Sequence, residues 1–180
     1  MTETLSPQQL TREGQAAYQR GDYAAAAQAF QAASQSYKTA GDTRNAAEAD
    51  NNASVAFLQA GQPQAALQVV EGTPAIFAAA SDFHRQALAL GNYAAALEAA
   101  GRLDEAVDAY QQSAGLLKQT GDDTLRLSVM QSLSTLQLRT GRQLQALATM
   151  QAGLDDVKRP SPKQRMLKKL LRVPFQMMNK

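Results

Sequence analysis

Apolar residues recur along the chain at the three- and four-residue spacing that is typical of amphipathic helices. One such stripe holds Ala26, Ala29, Phe30 and Ala33, and related stripes return 40, 80 and 120 residues further on. In each stripe a small residue precedes a larger one by a turn, which lets neighbouring helices interlock closely. The pattern predicts four helix pairs, whose first helices (A) span about 7–20, 43–60, 83–100 and 124–140 and whose second helices (B) span about 22–39, 62–80, 102–119 and 142–157.

Turn residues divide the chain at a fixed period of 40 residues. Such a turn supplies a left-handed glycine after one helix and an aspartate that caps the next helix. A repeat of this length indicates a solenoid. We therefore predict an all-α solenoid domain of about four helix-turn-helix repeats over residues 1–157. The turn signals are Ser6-Pro7, then Gly21, Gly61, Gly101 and Gly141, and half a period away Gly41-Asp42, Ser81-Asp82 and Gly121-Asp122.

One segment interrupts this regularity, because Gly72-Thr73-Pro74 falls inside the second B helix. A proline in a helix interior removes a backbone hydrogen bond and clashes with the preceding turn. The sequence predicts a kink or a break near Gly72. This break is either a passive defect or a hinge between the two halves of the array.

The composition excludes most catalytic chemistry. The chain has no cysteine and one histidine, His84, so thiol catalysis, iron–sulfur clusters and sites that need two imidazoles are ruled out. The carboxylate pairs, such as Asp104/Glu105 and Asp122/Asp123, fit helix ends and match neither a calcium loop nor a glycosidase pair. We therefore expect a protein that is not an enzyme, with no cofactor, metal or small-molecule substrate.

The formal net charge of +2 hides two oppositely charged parts. Residues 1–157 carry 10 basic and 16 acidic side chains, whereas residues 158–180 carry eight basic side chains and no acidic one. Ser161-Pro162 starts a helix there, and Pro174 is expected to end it. The sequence predicts a short amphipathic helix with Met166, Leu167, Leu170, Leu171 and Val173 on one side and Arg165, Lys168, Lys169 and Arg172 on the other.

Three roles compete for this basic tail, residues 158–180. It caps the apolar end of the last repeat, since terminal units of solenoids need a polar outer surface. Alternatively, it contacts an anionic membrane surface. The third role is docking to a partner or to nucleic acid, but the tail lacks the interleaved aromatic residues of base-stacking surfaces, and no nucleic acid is expected.

The repeats resemble the tetratricopeptide repeat (TPR) family. Residues 8–157 carry the resemblance, which is clearest in the first and third repeats. The 40-residue period is similar to the longer variant found in kinesin light chains and in spindle-orientation scaffolds. The matching small and large positions are Gly14, Ala17, Gly21, Tyr23, Ala26, Phe30 and Ala33, and later Leu97, Gly101, Leu103, Ala106 and Tyr110.

The resemblance implies that the A helices line a concave groove in which equivalent positions form rows. In TPR proteins an asparagine in the first row often binds the backbone of an extended peptide, since a carboxamide both donates and accepts hydrogen bonds. The lysines of the clamp for chaperone tails are replaced here by Asn51 and Gly91. The groove residues expected to bind a partner are Arg12, Asn52, Asn92 and Ser132 in the first row, Gln15 and Thr135 in the second, and Gln59 and Arg139 in the third.

The sequence thus favours a protein–protein interaction adaptor that binds a peptide or helical segment in this groove. The alternative is a membrane-associated assembly factor that uses the basic tail as its anchor. The N-terminus shows no signal peptide, and no stretch reaches the roughly 18 apolar residues of a membrane span. We expect a cytoplasmic protein.

Overall fold

The computed structural model describes residues 5–178, and for residues 172–178 it describes the backbone alone. The regular structure in that part of the chain is helical, as the sequence predicts. The helices are α1 (Pro7–Gln19), α2 (Tyr23–Thr39), α3 (Thr43–Gln59), α4 (Pro63–Val70), α5 (Thr73–Ala79), α6 (Phe83–Ala99), α7 (Leu103–Thr120), α8 (Asp123–Arg139), α9 (Gln143–Asp155) and α10 (Pro162–Met178).

The turns between repeats have the predicted chemistry. Asp42 and Asp122 cap α3 and α8 by accepting hydrogen bonds from the backbone N–H groups three residues further on. The glycines before them adopt φ angles of about +75°, where a side chain would be strained. Ser81 holds the same position with φ 55°, so a serine tolerates the left-handed conformation at one turn.

The second B helix is broken at the predicted place, with α4 ending at Val70 and α5 starting at Thr73. The break is anchored in the core. Thr73 is buried, and its hydroxyl donates to the backbone oxygen of Val70 at 2.9 Å. In α5 the fully buried Phe77 packs with Ala47 of α3 and Ala89 of α6. The segment after the break therefore joins two repeats.

Small residues let the helices approach closely throughout the array. The alanines that open each B-helix stripe, from Ala26 to Ala146, are fully or almost fully buried, and the larger residues Phe30, Val70 and Tyr110 fill the space one turn later. A continuous apolar core runs from Ala17 in α1 to Leu136 in α8. Each repeat is held by its neighbours, as in other solenoids.

Helix α10 confirms the predicted amphipathic tail helix and corrects its end. Ser161 starts it by exchanging hydrogen bonds with Gln164. The prediction that Pro174 ends the helix is wrong, since α10 continues to Met178. A proline removes only one hydrogen bond, and a helix accommodates that loss by bending. Leu171 packs against Leu127 and Leu154, so α10 covers part of the last repeat.

Asp82 links the second and third repeats electrostatically. It caps α6 through the N–H of Arg85, and its carboxylate pairs with Arg44 at 2.5 Å and with Arg85 at 2.9 Å. The hydrogen bonds from Arg85 and Arg44 lower the pKa of Asp82 from 3.8 to about 2. This carboxylate therefore stabilises the folded state when it is charged.

Asp82→Asn is expected to lower the free energy of unfolding at pH 7 by about 1 kcal/mol, because asparagine keeps the cap and loses the two ion pairs. Since the folded pKa lies below the unfolded one, this stability is present above about pH 4 and is lost as the pH falls towards 2. Urea unfolding between pH 3 and 7 measures it. In the control Asp22→Asn the replaced carboxylate caps α2 without an ion pair among the described residues. If Asp82→Asn lowers the free energy of unfolding equally at pH 3 and pH 7, the charged carboxylate of Asp82 is not the source of the lost stability.

Candidate functional site

Three clefts follow one another along the A helices, and we call this row the A-helix groove. The first cleft, between α1 and α3, has a volume of about 270 Å³. The second, between α3 and α6, measures about 140 Å³, and the third, between α6 and α8, about 200 Å³. The groove crosses all four repeats. Its walls include Gln15, Tyr18, Val55 and Asn52, then Glu48, Arg85, Leu88 and Asn92, then Val129 and Ser132.

Four of the predicted groove residues line these clefts. Gln15 borders the first, Asn52 the first and second, Asn92 the second and third, and Ser132 the third. Asn52 also borders a smaller cavity of about 110 Å³ beside Gln15. Its half-buried carboxamide has no hydrogen-bond partner among the described residues. Asn52 is therefore free to bind a guest at the point where several cavities meet.

Asn92 is in a different position, because its carboxamide already contacts the neighbouring repeat. Its Nδ2 donates to Oδ1 of Asn51 at 3.4 Å, and the Thr73 hydroxyl, whose shorter hydrogen bond goes to Val70, lies 3.3 Å from the same oxygen. Asn51 is buried and donates in turn to the backbone oxygen of Ala47 at 3.0 Å. This network joins α3, α5 and α6. Asn92 consequently has its carboxamide oxygen and one N–H left for a partner, while its other N–H helps to hold the repeats together.

The other predicted groove residues lie outside the three clefts. Arg139 forms an ion pair with Glu98, which also accepts a hydrogen bond from Tyr110 at 3.2 Å. The hydroxyl of Thr135 donates to its own helix, at the backbone oxygen of Gln131. Both Arg12 and Gln59 are exposed. The structure thus brings together the middle of the predicted set and leaves its ends apart.

The first predicted row, Arg12, Asn52, Asn92 and Ser132, is called the asparagine row below. A further row of residues lines the groove four positions before it. Glu48 and Leu88 border the second cleft, and Leu88 and Ser128 border the third. Leu88 is 39% exposed, which is high for a leucine in the middle of a helix. The groove role of this row was not predicted, although the 40-residue period connects its members. The period combined with the four-residue step of a helix would have found it.

The groove carries opposite charges that largely neutralise each other. Nε of Arg85 lies 3.3 Å from a carboxylate oxygen of Glu48, and its guanidinium also holds Asp82. The hydrogen bond with Asp82 and the charge of Glu48 raise the pKa of Arg85. In the third cleft, burial and the neighbouring Glu98 raise the pKa of Tyr110, so this phenol stays neutral. The walls combine polar and apolar side chains, and the charges of Glu48 and Arg85 oppose each other.

The predicted tail residues divide into two groups. Lys168 pairs with Asp155 of α9 at 2.6 Å and is half-buried. Lys169 and Arg165 are exposed, and Nε of Arg165 donates to the backbone oxygen of Pro160. The side chain of Arg172 lies outside the described residues. One tail cation therefore contacts α9, and two are exposed.

The described residues contain no group of three or more histidine, cysteine or carboxylate side chains placed to hold a metal ion. None of their helices is long and apolar enough to cross a membrane.

Two solved structures with similar folds are TPR-like arrays. Nearly identical TPR-like repeats assigned to a kinesin light chain of Podosopora anserina superpose with a TM-score of 0.77 at 16% identity, covering 96% of this chain and 88% of that one. A variant of those repeats with one glutamine replaced by methionine gives a TM-score of 0.71 at 15% identity, covering 95% of this chain and 96% of that one. These likenesses confirm the predicted TPR-like α-solenoid.

Comparison of sequences gives a family. No curated protein sequence matches the chain significantly. The family model described as "Soluble NSF attachment protein, SNAP" matches residues 14–160, which is well over half of the chain and includes every residue of the asparagine row except Arg12. The chain therefore belongs to the SNAP family of TPR-like helical repeat proteins.

Proposed function

We propose that the protein is a non-catalytic adaptor that binds a peptide or helical segment of a partner protein in the A-helix groove. The TPR-like repeat fold is that of protein-interaction scaffolds in general. The observation that carries the finer proposal is the unpartnered carboxamide of Asn52, half-buried where the cavities of the groove meet. A carboxamide in this setting can donate to a peptide carbonyl and accept from a peptide N–H.

The walls of the groove define the kind of segment that fits. Tyr18, Val55 and Leu88 offer apolar contacts, and Asn52 and Asn92 offer polar ones. Because Glu48 and Arg85 neutralise each other, the groove selects no strongly charged guest. We infer a neutral or mixed-charge segment whose modest apolar side chains enter successive clefts, with its backbone bound by the carboxamides.

The double substitution Asn52→Ala and Asn92→Ala is expected to abolish partner binding. Pull-down with mass spectrometry identifies the partner, and titration of its binding segment against the purified chain by calorimetry measures the affinity. Each lost hydrogen bond to a buried peptide group costs about 1–3 kcal/mol, so two losses weaken binding about thirtyfold or more. Asn52→Ala alone is the cleaner variant, since Asn52 supports no contact within the chain.

The control replaces two exposed carboxamides on B helices, Gln31→Ala in α2 and Gln111→Ala in α7. This variant should bind the segment with unchanged affinity, and all variants should keep their helical circular dichroism and cooperative melting. Unchanged affinity in the folded Asn52→Ala and Asn92→Ala variant means that the A-helix groove is not the binding site.

The alternative function, a membrane-associated assembly factor, depends on α10 and not on the groove. Neither the SNAP family match nor the similar solved repeats favours it. The groove adaptor is therefore the function that we propose, with no cofactor and a protein partner.

A further inference from the structure

Three cavities of the A-helix groove occupy the same place in successive repeats. They are the smaller cavity beside Gln15, the second cleft and the third cleft, and they are lined by Tyr37, Phe77 and Leu117 respectively, 40 residues apart. The backbone oxygens of these three residues accept the same hydrogen bond, from the N–H of the aspartate five residues further on, at 2.9, 2.9 and 3.0 Å. A comparison of the three cavities therefore shows how side chains alone change one site from repeat to repeat.

The first of these cavities is polar and small. It has a volume of about 110 Å³, and the side chains at its five repeating positions all carry an oxygen or a nitrogen. One of them, Glu48, is charged. The five residues are Thr11, Tyr37, Asn45, Glu48 and Asn52.

The second cleft mixes polar, charged and apolar side chains. It measures about 140 Å³ and has Asn51, Phe77, Arg85, Leu88 and Asn92 at the same five positions, with Glu48 beside them. Asn51 is buried and donates to the backbone oxygen of Ala47, so its side chain is fixed inside the wall.

The third cleft is the widest of the three, at about 200 Å³. Its five residues are Gly91, Leu117, Leu125, Ser128 and Ser132. Leucine thus stands where the second cleft has a guanidinium, and glycine stands where it has a carboxamide. Among the residues that the structure describes, no charged side chain lines the third cleft.

Gly91 is the residue that leaves this space open. The same position is occupied by Thr11 in the first repeat and by Asn51 in the second. A Cβ atom at Gly91 would lie 3.6 Å from Oγ of Ser113 and 3.9 Å from Cγ2 of Val129, and Val129 lines the cleft. Because these are ordinary contacts, packing does not require a glycine here, although a glycine inside a helix is less stable than an alanine.

The size and the charge of the third cleft define what can occupy it. Its volume lies below the roughly 300 Å³ at which pockets for small-molecule ligands begin, so it has room for a single side chain. An ionised group would lose its hydration there without meeting an opposite charge, which is costly. An uncharged apolar side chain therefore matches the cleft.

We propose that Gly91 determines the specificity of the A-helix groove by opening the third cleft to one apolar side chain, of leucine or phenylalanine size, from the bound segment. This inference rests on the function proposed above, since it describes the guest of the same groove. The two cavities before the third cleft then contact a polar part of the segment. The order of the three cavities consequently fixes the direction in which the segment lies, with its apolar anchor between α6 and α8.

Side-chain analogues test the third cleft without a known partner. The probes are N-acetyl-leucinamide and N-acetyl-phenylalaninamide, with N-acetyl-glutaminamide as the polar control. Each is titrated into the full chain with labelled leucine and valine methyl groups, and NMR records the methyl shifts. The two apolar probes should shift Leu125 and Val129 with a dissociation constant of about 1 mM, as expected for ligands of this size. Val55, in the first cleft, should not shift.

Substitution of Gly91 should close the cleft. Gly91→Asn introduces the residue type of the second cleft and should weaken binding of both apolar probes about tenfold or more. Gly91→Ala should weaken it less. The matched control is Gly115→Asn, because Gly115 is an exposed helix glycine of α7 with no atom within 4 Å of an added Cβ. It should leave probe binding unchanged, and circular dichroism checks that all variants fold.

The proposal is overturned if the apolar probes shift neither Leu125 nor Val129, or if the glutamine probe shifts them equally. It is also overturned if both folded Gly91 variants bind the probes as tightly as the unchanged chain. The partner segment, once identified, separates this proposal from the function on which it rests. Unchanged affinity in the Asn52→Ala and Asn92→Ala variant refutes the groove itself. A loss in that variant, with unchanged affinity in Gly91→Asn, refutes only the role of Gly91.

Discussion

Phe77→Ala should lower the free energy of unfolding by about 3–5 kcal/mol, the largest loss that we expect from one substitution in this chain. Phe77 is among the largest fully buried side chains and belongs to the short helix α5. Its ring packs with Ala47 of α3 and Ala89 of α6. Since alanine faces it on both sides, neither neighbour can extend to fill the cavity, and little relaxation will reduce the loss.

Urea unfolding followed by circular dichroism measures this difference. Phe83→Ala removes the same ring from a position that is 51% exposed, and it should change stability by about 0.5 kcal/mol or less. Because α5 connects two repeats, the unfolding transition of Phe77→Ala should also become broader, as the halves of the array uncouple. Equal losses in the two variants mean that the ring of Phe77 does not anchor α5.

The helix map was predictable because each signal in the sequence is local. Three such signals act within about one turn of helix. They are a glycine that adopts a positive φ, an aspartate that caps the N–H three residues later, and apolar residues spaced by three or four. For the same reason the break at Gly72-Thr73-Pro74 could be placed correctly. The end of α10 was misplaced, since Pro174 weakens a helix locally while the decision to continue depends on the whole segment.

The candidate site was predictable only in part, because side chains of different repeats decide it. The 40-residue period placed Asn52 and Asn92 in one row, and both line the groove. It could not show that Asn92 would donate to Asn51 while Asn52 has no partner among the described residues, since this depends on the buried Thr73 after the break. Likewise, a helical wheel predicts an apolar side for α10. Which leucine of that side is buried depends on packing, which buries Leu171 and leaves Leu170 exposed.

The close packing of the first repeat leads to a prediction about Gly14 in α1. A Cβ atom at this position would lie 2.8 Å from Cδ1 and Cε1 of Phe30. The ring of Phe30 is buried and cannot move aside without shifting its neighbours. Gly14→Ala should therefore lower stability by up to about 2 kcal/mol, since an overpacking cost of about 1–3 kcal/mol is offset by the helix propensity of about 1 kcal/mol gained with alanine.

Gly91→Ala in α6 is the control with the opposite expected sign. Its Cβ would lie 3.6 Å from Oγ of Ser113 and 3.9 Å from Cγ2 of Val129, which are ordinary contacts. Without a clash, the better helix propensity of alanine should raise stability by about 0.5–1 kcal/mol. Thermal melting of both variants checks the pair, and a stabilised Gly14→Ala contradicts the packing argument. Phe30 also lines the first cleft, beside Asn52. Because Gly14→Ala displaces the Phe30 ring, it should also change the shape of the groove there and weaken partner binding.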